Sequence, residues 1–177
     1  MCVKLTEAEF ADRPNGRIKS LERISAGQLT VPHSPFPIPH SPKMQPPIDR
    51  IKLSQTAKEQ LTKLKRVTKI DRWNILCRWA FCRSLAESTS PSPVPIPLDS
   101  NVEISWSVFG GEMADILAVA LVQRCHNDGL DLDPETLKMQ FNLHLHRGIG
   151  YLAGDPNLDG IEDLVAIVSK RSTDATD

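Results

Sequence analysis

The sequence predicts a mainly α-helical small domain with a short N-terminal strand, a ribbon-helix-helix-like start, and an oligomeric state. Three observations carry this. IDRIKL (Ile48–Leu53) alternates apolar Ile51 and Leu53 with basic Arg50 and Lys52, the period-2 signature of a half-exposed strand. Most of the remaining patterned sequence repeats its apolar residues at helical spacing. Finally, a lone strand leaves its backbone groups unpaired, so it needs either a twin from another subunit or a later extended stretch of the same chain. Two-stranded ribbons of the first kind lie in a DNA groove.

Taken in order, residues 1–47 are expected to be a disordered extension. Val31–Pro47 (VPHSPFPIPHSPKMQPP) is proline-dense without any period, which favours an extended tether. Weak amphipathic patterns lie near Ala8 and over Ile18–Ile24, and Met44, just ahead of the patterned sequence, is a second candidate start. After the strand, Ser54 suits an N-cap, and QTAKEQLTKLKRVTKI places Ala57, Leu61, Leu64 and Thr68 on one stripe with lysines opposite. Asp71 is read as the cap of a second helix, RWNILCRWAFCRSLAE, whose apolar arc holds Ile75, Leu76, Trp79, Ala80 and Cys82 or Arg83. Trp73 and Trp79 read as core anchors. A second proline-rich connection, STSPSPVPIP, follows.

NVEISWSVF (Asn101–Phe109) alternates Val102, Ile104, Trp106 and Val108 and reads as a short strand or extended segment, broken by Gly110 and Gly111. EMADILAVALVQRCH then carries Met113, Ile116, Leu117, Ala120, Leu121 and Arg124 on a helical stripe ending at Gly129. Asp133-Pro134-Glu135 is a helix start with a capping carboxylate and proline at the first position. The helix runs through LKMQFNLHLHRGIGYLA, with Gly148 and Gly150 expected to weaken its last turns. A final amphipathic helix, IEDLVAIVS, opens near Asp159 or Gly160. The helical domain is therefore expected over 48–169, with a polar, disordered tail at 170–177.

The net charge of −1 hides an asymmetry. From Ile48 to Leu85 ten bases face three acids; from Ala86 onward five bases face fifteen acids. A polyanion-binding face on the basic half follows, made of Arg50, Lys52, Lys58, Lys63, Lys65, Arg66, Lys69 and Arg72. Lysines and arginines bind phosphates without reading sequence. No apolar run near the roughly 20 residues of a membrane span and no secretory signal stand out, so a cytoplasmic protein is expected.

Catalytic and metal chemistry find little support. Cys2, Cys77, Cys82 and Cys125 form no CxxC pair and read as free thiols. His144 and His146, about 200° apart on a helix, are poorly placed to share a metal and read as polar positions near a helix end. Arg147-Gly148-Ile149-Gly150 lacks the strand context and the GK[ST] of a phosphate loop. The expectation is no enzyme, no catalytic residue, no metal and no cofactor.

Two segments resemble a known family. DRIKLSQTAKEQLTKLKRVTKIDRWNILCRWAFCRSL (Asp49–Leu85), with its NILCRxAxxxSL pattern, and FNLHLHRGIGYLAG (Phe141–Gly154), with its H-R-G-[IV] element, are similar to the DndE family of DNA sulfur modification proteins. The resemblance spans about Ile48 to Ser169 and leaves the first 47 residues outside. It implies a helical, tetrameric subunit of a bacterial phosphorothioation system that binds nicked duplex DNA and works with DndC and DndD type proteins. By motif position, Lys58, Lys63, Lys65, Arg66 and Lys69 would be phosphate contacts. The alternative is a ribbon-helix-helix transcriptional regulator reading a palindromic operator.

Overall fold

Ile51 and Leu53 are fully buried while Arg50 and Lys52 face outward, so the alternation in IDRIKL holds over a short span. The computed structural model describes residues 46–174. The extension through residue 45, including Cys2 and the patterns near Ala8 and Ile18–Ile24, lies outside the described residues, as do residues 175–177.

Strand β1 (Arg50–Lys52) pairs antiparallel with β2 (Glu103–Ser105), in the register Arg50 to Ser105, Ile51 to Ile104 and Lys52 to Glu103. Side chains alternate across a strand, so Ile51 and Ile104 meet on the inner face. The Leu53 amide donates to the Val102 carbonyl (3.4 Å) and the Trp106 amide to that of Asp49 (3.0 Å), extending the pairing at both ends. The backbone of β1 is thus satisfied by a later stretch of its own chain, and a twin from another subunit is not needed to complete it.

Helix α1 (Gln55–Thr68) starts where the sequence indicates: Ser54 Oγ accepts from the Ala57 amide at 3.1 Å, and Ala57, Leu61, Leu64 and Thr68 are buried. It ends at Lys69, a left-handed residue (φ 61°) whose amide donates to the Lys65 carbonyl. Helix α2 (Trp73–Leu85) differs from expectation at its start. Arg72, not Asp71, holds the cap position and no side chain caps the helix; Asp71 instead lies 3.8 Å from Lys65. Its buried face is Leu76, Cys77, Ala80, Phe81 and Ser84, with Ile75, Trp73 and Trp79 only half-buried.

The strand expected over Asn101–Phe109 stops after Ser105. Ser105 Oγ accepts from the Val108 amide and starts a short helix, α3 (Trp106–Gly110), with Trp106 and Phe109 buried on one side. A single 3-10 turn (Gly111–Met113), entered at Gly111 with φ 55°, leads into α4 (Ala114–Asn127). Leu117, Ala118, Leu121 and Cys125 form the inner face of α4; Met113 and Ile116, expected inside, are 45% and 58% exposed. Within Trp106–Asn127 an 18-residue window has a mean hydropathy of 1.2, so this stretch is long and apolar enough to cross a membrane by length and composition alone, a run that the sequence reading did not single out. Its inner side is committed to this core.

Helix α5 (Pro134–Gly154) is capped by Asp133 Oδ1, which accepts from the amides of Glu135 (3.0 Å) and Thr136 (3.1 Å). It packs along α2, and the two helices carry the largest interface of the fold. Gly148 does not weaken it. A Cβ there would sit 1.8 Å from the Ala80 carbonyl oxygen, so only glycine lets the two backbones approach this closely. Phe81, Trp106, Phe109 and Phe141 join α2, α3 and α5 in one aromatic cluster with centroid separations from 4.9 to 5.8 Å. Truncating a buried phenylalanine of this kind costs about 3–5 kcal/mol. Helix α6 (Ile161–Asp174) runs past Lys170, where the tail was expected to begin, and Asp163 Oδ2 accepts from the amides of Asp159 and Gly160 at its start.

Candidate nucleic-acid interface

At 100° per residue, the basic residues of α1 do not share one face. Lys58, Lys65 and Lys69 lie along one flank of the buried stripe and Lys63 along the other, about 140° away, with Arg66 pointing outward between them. Their surroundings divide them further. Lys63 Nζ donates to the Ala153 carbonyl at the end of α5 (2.8 Å), and Lys58 Nζ donates to Asn101 Oδ1 (2.8 Å). Arg50 forms a 2.8 Å ion pair with Glu103, whose carboxyl is held below the usual range by that hydrogen bond. These three make contacts with other parts of the chain at the surface, whereas the other cations of the set, among the described residues, do not share such partners.

Five cations of the predicted set remain. Lys52 is exposed on β1 opposite Glu103. Lys65, Arg66, Lys69 and Arg72 gather where α1 ends and α2 begins, and Asp71 is the acid among them. Arg66, Lys69 and Arg72 are exposed, and among the described residues their side chains make no ion pair. The left-handed cap at Lys69 sharpens this corner. Beside it, α2 opens without a side-chain cap; helix N-termini present amides and a positive dipole end to anions. Basic residues in the last turn of a helix also favour its dipole, so Lys65 and Arg66 stabilise α1 as well.

Three consecutive residues of the H-R-G element each tie α5 to another part of the chain. His146 Nε2 accepts from the Ser54 amide (3.1 Å) at the start of α1, while its Nδ1 faces the Asn142 carbonyl (2.9 Å), so the ring is neutral with the proton on Nδ1. Arg147 donates to Ser84 Oγ (2.8 Å), Ser84 O (2.8 Å) and Thr89 O (2.7 Å), closing the end of α2. Arg124 joins it, donating to the carbonyls of Leu85, Glu87 and Ser88. Gly148 makes the backbone contact with α2. His144 and His146 are thus mid-helix and buried or half-buried, not polar positions at a helix end. Phe141, Leu145, Gly148 and Leu152 fall on one helical stripe; a glycine inside such a stripe is the sequence signal for a close helix contact.

Ser84 Oγ lies 3.0 Å from His144 Nδ1, the spacing of a nucleophile and its base. Both residues are fully buried, and the hydroxyl accepts from Arg147 while donating to the ring. Burial, with Arg147 as the second cause, lowers the His144 pKa to about 4, too low for a base at neutral pH. Burial also pushes the Cys77 thiol up to about 12. This is structural polar chemistry, closed to any substrate. Among the described residues, no group of three or more histidine, cysteine or acidic side chains is placed to hold a metal ion.

A family model described as DNA sulphur modification protein DndE matches residues 50–159. No curated protein matches the chain. Among solved structures, DndE from Escherichia coli B7A, involved in DNA phosphorothioation modification, is 28% identical with a TM-score of 0.52, over 59% of this chain and 96% of that one. A DndE mutant with two glycines changed to lysine, involved in DNA phosphorothioation, is 25% identical with a TM-score of 0.47, over 59% of this chain and 98% of its own.

Proposed function

This chain belongs to the DndE family of DNA sulphur modification proteins, and on that premise we propose that it serves DNA phosphorothioation as a non-catalytic subunit that grips nicked duplex DNA. The observation that carries the reading is the corner of Lys65, Arg66, Lys69 and Arg72 beside the uncapped start of α2. Cations and backbone amides on one convex turn suit a sugar-phosphate backbone, which they hold without reading bases. A nick leaves the phosphate rail intact on both sides while making the duplex easier to bend around such a corner. Lys52 extends the surface along β1; Arg50, Lys58 and Lys63 contribute through the fold more than through DNA contact.

The protein acts as a self-associating subunit, a homotetramer by family resemblance, alongside DndC and DndD type proteins in the cytoplasm. Val108 on α3, Met113 in the 3-10 turn, and Ile116 and Val119 on α4, between 45% and 58% exposed, leave apolar surface that suits contact with another protein. The acidic stretch at the start of α5, with Asp131 and Asp133 before the helix and Glu135 in its first turn all exposed, faces away from phosphates or meets a basic partner. The ribbon-helix-helix regulator is disfavoured, because β1 already has its partner in β2.

The test is a gel-shift series with intact, nicked and sequence-shuffled duplexes. The reading expects binding that tolerates shuffling and is strongest for the nicked duplex. Strong preference for one intact palindrome, or no shift at all, refutes it.

A further inference from the structure

Beyond the phosphate-binding corner, we propose that the end of α5 carries a second site, built around Tyr151, that takes up a single unpaired nucleotide at a gap in the duplex. The idea deepens the DNA-binding reading and rests on it.

Tyr151 is the one tyrosine of the chain and is 42% exposed. Its ring forms part of a cavity of about 340 Å³ together with Arg83, Glu87, Gly150, Gly154, Asp155 and Pro156. The Arg83 guanidinium carbon stands 5.6 Å from the ring centroid and that of Arg147 5.7 Å, within cation–π range. Arg147 is fixed by its bonds to Ser84 and Thr89. Arg83 pairs with Glu87, one helical turn along.

The glycines supply an independent observation. Gly148 is explained by the Ala80 backbone, but a Cβ on Gly150 or Gly154 would meet nothing within 4 Å, and neither has a positive φ. Glycine inside a helix is less favourable than alanine, so Gly150, which the chain's own packing does not require, points to an approach from outside, with Gly154 at the helix end beside it. They flank Tyr151 and leave bare backbone as the floor of the cavity.

The lining decides the ligand. An aromatic ring stacks on any base regardless of sequence, and guanidinium groups stack on bases or hold phosphates. Glu87 and Asp155 make the cavity mixed in charge, which suits a base edge with amino donors better than a bare phosphate. In an intact or merely nicked duplex every base is paired and stacked; a one-nucleotide gap frees one.

The experiment uses the full chain and a duplex carrying 2-aminopurine as the unpaired base of a one-nucleotide gap. Wild type is expected to change the probe's fluorescence and to bind the gapped duplex roughly tenfold more tightly than the nicked one. Tyr151→Leu should lose both effects while keeping its affinity for nicked duplex; Tyr151→Phe should keep both. The double variant G150A/G154A should melt at or above the wild-type temperature yet lose the fluorescence change, because its methyl groups fill the floor. A wild-type response from Tyr151→Leu or from G150A/G154A overturns the site. Binding of nicked duplex with no gap preference overturns this site alone, whereas no DNA binding of any kind overturns it together with the reading it rests on.

Discussion

His144 is the residue where stability and pH meet. Its ring is fully buried and its Nε2 has no hydrogen-bond partner among the described residues, so charging it is opposed by burial and by Arg147. With the pKa lowered from 6.5 to about 4, the unfolded chain binds a proton that the folded chain refuses throughout that window. Stability is therefore full above about pH 6.5 and declines as pH falls toward about 4, by on the order of 2–3 kcal/mol for such a shift. Urea denaturation across this range should show the decline, and His144→Gln should lessen it; parallel slopes would assign the acid sensitivity to His146, whose pKa burial also lowers, and to carboxylates. None of this was legible in the sequence, where His144 looked like a polar residue near a helix end. Its burial depends on which face of α5 meets α2, and Gly148 decides that through a backbone contact invisible without the partner helix.

At the scale of elements, the legible ones were those whose signals are local. Ser54 and Asp133 cap their helices as their side-chain chemistry requires, and the α1 stripe is buried residue for residue. Helix α3 was not legible. Val102, Ile104, Trp106 and Val108 alternate, but β1 offers only three residues to pair with, and beyond Ser105 the chain gains more by burying Trp106 and Phe109 on one side of a helical turn. The outer stripe of α4 misled in the same way, since apolar spacing does not say whether Ile116 meets the core or another molecule. For α1 the element-level prediction separates its flanks. K65E/R66E/K69E should weaken nicked-duplex binding by about a thousandfold or more at low salt, since it removes three charge-assisted contacts of about 1.5–3 kcal/mol each. Lys63→Glu should leave binding nearly unchanged and instead lower stability by about 0.5–1 kcal/mol, because it loses its bond to the end of α5. Equal losses of binding from both variants would mean that the two flanks act as one surface.

Across the whole molecule, charge is segregated along the chain and the fold keeps part of that segregation on its surface. The ten bases between Ile48 and Leu85 were legible as a polyanion-binding surplus, but the sequence could not show that Arg50, Lys58 and Lys63 would be drawn into contacts with Glu103, Asn101 and the Ala153 carbonyl. What the fold leaves outside is the α1–α2 corner, with Lys52 exposed separately on β1 before the start of α1. Whether this corner holds DNA by its phosphates is read from the affinity for nicked duplex as a function of salt. Four phosphate contacts by Lys65, Arg66, Lys69 and Arg72 predict a log–log slope of about −4 per bound chain, reduced toward zero in K65E/R66E/K69E. A wild-type slope between zero and about −1, or one that the triple variant leaves unchanged, would contradict the claim.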